Sequence, residues 1–360
     1  MHRLDIIKTI LNKYAINTPI NHPTMPDTAS HSFSIRYKDL LWSVKTFSMS
    51  VVTAFVCSIL LYTFMFIIAE PAPVNEAIIS TATAATAKVV VTAQYISPMW
   101  AIFIFNSIAA LSASVGTGLF LFIHPLLVSD IRLRPNNRIY ASFSIAFERM
   151  LMPANRVLQK LAHNLDDDFP YPEISDPAKE GIWKYCGYTR EDYRMFAYML
   201  PYTIPFMIMI VNGLLMGILL AFFLFNGSLT GYELFGVKGI LIGINYNLIY
   251  FFISIVPHGI IEIPAILLAA ALGYRFAGIQ SLEVTDKGLF LGDSPESLKK
   301  DVSEVLATAK LYITSRYLWK ISAFILMILL AAAYIEAHLT SGIVDIVMQE
   351  LDAIIENLPV

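Results

Sequence analysis

Residues 237–277 read VKGILIGINYNLIYFFISIVPHGIIEIPAILLAAALGYRFA, and the number of times they cross a membrane decides the fold. The stretch is about twice the ~20 residues that a helix needs to cross ~30 Å of hydrocarbon. Two clusters interrupt it, Asn245-Tyr246-Asn247 and Pro257-His258-Gly259. Pro257 disfavours helix just before it, Gly259 frees the backbone to turn, and Pro264 suits the first turn of a new helix. These rules predict a helix that begins near 259–263. Glu262 would then accept its first unpaired N–H groups, with His258 one turn earlier. The functional alternative takes His258 and Glu262 as ionisable groups at membrane depth, which mark ion, proton or substrate paths where helices are broken.

Working outward, 56% of the 360 residues are apolar and only 15% charged, with a mean hydropathy of +0.62. That composition reads as an all-α, polytopic transmembrane helical bundle. A net charge of −3 gives no reason to expect nucleic acid. Four further runs can span: Phe47–Ala69, Met99–Val128, Met195–Phe225 and Tyr317–His338. Residues 1–46 lack a short apolar core of the secretory kind, so the first run is read as an uncleaved anchor.

Lys and Arg set the orientation, because basic short loops stay cytoplasmic. Arg3, Lys8, Lys13, Arg36, Lys38 and Lys45 place the arm 1–46 inside, and Lys88 alone in the 70–98 loop places that loop outside. The basic loop 129–194 and the segment 278–316 fall inside, and the tail 341–360, without Lys or Arg, outside. Residues 237–277 must then make one net crossing, dipping in, turning near Asn245–Asn247 and crossing through Ile260–Ala277. The result is five crossings plus a re-entrant segment within a transmembrane domain at 47–340. The alternative is six crossings with both termini inside.

The remaining parts are patterned as amphipathic helices. Leu4, Ile7, Ile10, Leu11 and Tyr14 share one helical face opposite Arg3, Lys8 and Lys13, which suits the cytoplasmic leaflet or the protein's own loops. Pro153 followed by Val157, Leu158, Leu161 and Leu165 predicts a short helix that stops at Asp166-Asp167-Asp168, a solvated end. Ser294-Pro295-Glu296 predicts a helix start, with the helix running on into the last span, and Gly342 a stop. Residues 74–96 and 343–357 read as extracytoplasmic helices, the second with Ile343, Val347, Leu351, Ile354 and Ile355 on one face. His124 is placed at an interface.

Small residues recur at spacings that let helices approach closely: Gly213 with Gly217, Gly239 with Gly243, and Ala265, Ala269 and Gly273. They predict a homo-oligomer in the lipid bilayer. Asn106, Asn212, Asn245 and Asn247 are expected to hydrogen-bond across helices. Cys57 and Cys186 show no disulfide framework, no metal-ligand spacing occurs, and no metal or cofactor is implied. There is no His-Glu-x-x-His, no Gly-x-Ser-x-Gly and no Walker loop, so the chain reads as non-enzymatic.

Asn106 with Gly116 and Gly118, Asn212-Gly213 with Gly217, and the block Pro257-His258-Gly259-x-x-Glu262-Ile263-Pro264-Ala265 ending in Gly273 resemble the pattern of the stage II sporulation protein M (SpoIIM) family. The resemblance covers roughly 45–340 and departs from the family at the insertion 129–194 and the N-terminal arm. It implies an integral membrane scaffold or assembly factor, since the namesake is implied to anchor cell-wall hydrolases during engulfment. A protein partner would be extracytoplasmic in that case. The runner-up is a permease or channel subunit with its path near 257–264, served by an ATPase on another chain.

Overall fold

A computed structural model of the chain describes residues 33–68, 76, 78–80, 87, 89–165, 181–188 and 190–356; these hold long helices and no strand. The amphipathic pattern at 1–14 and the triplet at 166–168 lie outside the described residues. So does much of 74–96, whose described positions include helical residues at 76, 78–80 and 89–92.

The stretch that decides the fold is a single helix. α6 (Arg190–Phe235) rises to a turn at Gly236–Lys238, where Gly236 has φ +66°, and α7 (Gly239–Asp286) returns beside it. Each arm, 46 and 48 residues, is about 70 Å long. No turn occurs at Asn245–Asn247 and no helix starts at 259–263, so the expected re-entrant segment and cap are both overturned. Pro257 and Pro264 lie inside the helix, seven residues apart and so on one face. Rules drawn from water-exposed helices fail here. In an apolar bundle every alternative to helix leaves more backbone groups unsatisfied than the one bond that each proline removes.

Glycines hold the arms together. A Cβ on Gly239 would sit 1.9 Å from the Gly231 carbonyl oxygen, and one on Gly243 equally close to that of Gly227. α1 (Tyr37–Ile68) packs on α6 in the same way, with Gly217 facing the Val51 carbonyl oxygen at 2.2 Å from an added Cβ. The small-residue faces are thus filled within the chain, and the expected oligomer draws no support from them.

A second rod runs down toward the other end, from α2 (Pro98–Leu111) through a π-helical turn at Ser112–Gly116, α3 (Thr117–Phe120) and a 3-10 turn into α4 (His124–Leu133). α5 (Arg138–Leu165) starts well before Pro153, which it contains. Its apolar Ile139, Phe143 and Met150 are exposed, as on a helix lying at an interface. Ser294 caps α8 (Pro295–Ile313), accepting from the Ser297 N–H at 3.1 Å. The helix does not run on, however: Ser315 is extended, and α9 (Arg316–Ile335) begins anew. α9 then passes through a second π-helical turn, Glu336–Thr340, into α10 (Ser341–Glu356).

Gly342 therefore stops nothing. It sits in helix with no atom within 4 Å of an added Cβ. Gly342→Ala is expected to raise stability by up to about 1 kcal/mol, the helical preference of Ala over Gly, read from an unfolding titration in detergent.

At the basal end, opposite the α6/α7 turn, the insertion 129–194 joins the segment 278–316 in one core. Trp183, Tyr193, Phe290 and Tyr312 are fully or nearly fully buried there. His124 belongs to this core: it is fully buried, stacks on Phe290 at 5.7 Å between ring centroids and lies 3.3 Å from the Tyr193 hydroxyl. Its expected interfacial placement is corrected accordingly. Cys186 is buried as well, and burial pushes its thiol up to about 12, leaving it unreactive at neutral pH.

Candidate functional site

His258 and Glu262 are one turn apart on continuous α7, so both project from the same face. That face meets the π-helical turn of the last rod, which presents Glu336. His258 Nε2 lies 4.0 Å from a Glu336 carboxylate oxygen, and one ligand atom of each of the three residues lies within 4.8 Å of the other two. The side chains are only partly exposed, 16% for His258 and 34% for Glu336. Glu262 Oε2 and His258 Nδ1 are shut off from solvent and accept or donate no hydrogen bond.

Glu262 is therefore no cap. The first turn of α7 lies some twenty residues earlier, at Gly239, and every N–H near Glu262 lies inside the helix. The cluster instead places two carboxylates and an imidazole side by side where α7 meets the end of α9. Unpaired buried polar groups cost several kcal/mol each unless a proton, ion or ligand satisfies them. π-helical turns of the kind that carries Glu336 recur at functional sites because they reorient one side chain without ending the helix.

Sequence reasoning missed Glu336 because it is far from the block along the chain. A local signal was present nonetheless: Glu336 is the one acid in the run Tyr317–His338. The other expected site residues do not gather here. Gly259 is buried against Ile255 and Ile263 of its own helix, and Pro257 and Pro264 interrupt the ladder beside the cluster. Asn212 and Asn245 donate to Ile208 and Leu241 of their own helices, both at 2.8 Å, rather than across helices. Asn247 leans on Gly227 of the neighbouring arm, and Asn106 is half-buried on α2. Gly273 meets the backbone of the first π-helical turn, and Ala265 and Ala269 are buried in the core between the rods.

A separate cavity of about 610 Å³ opens near the basal end between α4, α5 and α6. Half of the residues in its walls are aromatic, Phe120, Phe143, Phe147 and Phe196 among them. Its polar end holds Asp130 and Glu148, both paired with the one Arg134 guanidinium.

Among the described residues, four apolar helical stretches are long enough to cross a membrane, one of them the whole hairpin Asp192–Asp286. Residues 163–341 match the family model described as Stage II sporulation protein M. Over that stretch the chain belongs to the SpoIIM family. No curated protein and no solved structure matches it. The SpoIIM region contains His258, Glu262 and Glu336, the hairpin and α8. It excludes Asn106, Gly116 and Gly118, and it begins inside the loop that the sequence resemblance treats as an insertion.

Proposed function

We propose that the protein is a multi-pass, non-enzymatic protein of the cell membrane that works through the His258–Glu262–Glu336 cluster, as a permease or channel subunit moving or sensing a proton or small cation. The observation that carries this reading is the pair of carboxylates brought against an imidazole between two long apolar helices, with buried, unbonded Oε2 and Nδ1 atoms. The sequence places a scaffold first on the family resemblance and reads Glu262 as a cap rather than part of a path; continuous α7 removes the cap reading, not the resemblance. The scaffold reading retains a different support. α10 extends beyond α9 with Ile343, Ile346 and Ile354 exposed, a face on which an extracytoplasmic partner can seat. A permease would draw on an ATPase docking at the basal end.

The topology that goes with this proposal has five crossings, made by α1, the α2–α4 rod, α6, α7 and α9, with the N-terminus inside and the C-terminus outside. Single cysteines at Glu233, Lys299 and Glu350, all exposed, test it once Cys57 and Cys186 are replaced. Positions 233 and 350 are expected to label in intact cells and position 299 only after permeabilisation. Labelling of 299 from outside would reverse the assignment.

Function is tested in proteoliposomes at matched amounts of folded protein. Wild-type protein is expected to pass a proton or cation current that Glu262→Gln lowers at least tenfold with normal yield. Absence of flux in the wild type, together with capture of a wall-remodelling protein from native membranes, would favour the scaffold.

A further inference from the structure

We infer that His258, Glu262 and Glu336 form a binding site for a divalent transition-metal ion of the zinc class. The donor set is one imidazole nitrogen and two carboxylate oxygens, each a ligand such ions accept at about 2.0–2.2 Å. Ligands of a tetrahedral ion at those lengths stand about 3.3 Å apart. The three donors already lie within 4.8 Å of one another, so rotation of two glutamate side chains closes the remaining gap. His258 and Glu262 come from one rigid helix at a spacing of four, and Glu336 comes from the facing rod, so binding would clasp α7 to the α9–α10 rod.

Charge and hydrogen bonding point the same way. Two carboxylates and a neutral imidazole around an M²⁺ ion sum to zero, which suits a low-dielectric bundle far better than two adjacent anions. The ion would also satisfy atoms that the protein leaves unsatisfied, Glu262 Oε2 foremost. The imidazole sets the class of metal. Mg²⁺ and Ca²⁺ favour all-oxygen shells, whereas zinc-class ions favour mixed nitrogen and oxygen donors. Three protein ligands leave one position open for water or a transported group, the arrangement of a working rather than a closed structural site. Sequence spacing gives no hint of this, because only two of the three ligands are neighbours in the chain.

The inference rests on the proposed function only in taking the cluster as the working site; metal content is an equilibrium property, so it can hold where flux fails and fail where flux holds. The test uses the full chain in detergent, stripped with chelator and reloaded with Zn²⁺ or, as a spectroscopic probe, Co²⁺. The expected result is one metal per chain by elemental analysis and Co²⁺ d–d bands of a four- or five-coordinate site. Glu336→Gln and His258→Ala are expected to weaken binding at least tenfold while eluting as monodisperse protein. His258→Cys, which keeps a zinc ligand, should retain it. Should the variants misfold, X-ray absorption on zinc-loaded wild-type protein decides, with a histidine and oxygen shell expected. A wild-type protein that holds less than a tenth of an equivalent, a shell lacking histidine, or displacement by millimolar Mg²⁺ or Ca²⁺ would each overturn the assignment.

Discussion

Arg134→Ala is expected to destabilise the protein by about 3–5 kcal/mol, the usual cost of removing one partner from a buried charge cluster. The Arg134 side chain is only 3% exposed and bonds Asp130 and Glu148 at once. It also donates to the Tyr185 carbonyl at 3.4 Å, while Glu148 accepts the Gly187 N–H at 2.7 Å. One guanidinium therefore ties the end of α4, the first half of α5 and the turn after Trp183 together. Alanine would leave two carboxylates facing each other with no cation between them. Arg134→Lys should recover only part of the loss, since a single ammonium cannot reproduce the fork that reaches both acids. Adding Glu148→Gln to Arg134→Ala should be less harmful than Arg134→Ala alone, because it removes the repulsion. Unfolding titrations in detergent read all three. A loss under 1 kcal/mol for Arg134→Ala would mean that the cluster is not what fastens the basal end.

This network marks the boundary of what the sequence discloses. Apolar runs, the Ser294 cap and the close-packing glycines are legible because each is a local pattern whose physics does not depend on the rest of the chain. α7 is misread for the same reason. Pro257, Gly259 and Pro264 break helices in water, and only knowledge of the flanking α6 and α9 shows that there is no better backbone to adopt. Glu336 with the α7 pair, Arg134 with Glu148, and His124 with Phe290 are pairings between different helices or turns, and the sequence holds the members of each without their proximity. Two of the three cluster residues, His258 and Glu262, are thus visible in the sequence with their meaning inverted: Glu262 reads as the start of a helix, and the structure puts a second carboxylate opposite that helix's middle.

The same contrast between local and tertiary rules yields a second large effect. Gly273→Ala ought to help by helix propensity alone, since Ala is favoured over Gly by about 1 kcal/mol within a helix. It is instead expected to cost about 3 kcal/mol, the upper end of overpacking penalties. A Cβ at 273 would lie 2.0 Å from the Ala113 carbonyl oxygen and 2.8 Å from Thr117 Oγ1. Neither obstacle is a side-chain tip that can swing aside. Ala113 is backbone in the π-helical turn Ser112–Gly116, and the Thr117 hydroxyl is held by donating to that same Ala113 carbonyl at 2.8 Å. Relief requires moving α7 off the α2–α4 rod. That would also strain the bond from the Tyr312 hydroxyl to the Ser114 carbonyl at 3.2 Å, and the Phe276–Tyr312 stack at 4.1 Å. One methyl group would thus be felt in three helices at the basal core. Gly342→Ala is the matched control, with the same chemical change in open space. If Gly273→Ala unfolds at or above the wild-type denaturant midpoint, α7 does not approach the π-helical turn as closely as described. If it falls while Gly342→Ala rises, the sign of a glycine-to-alanine change in this protein is set by the carbonyl it faces rather than by the helix it sits in.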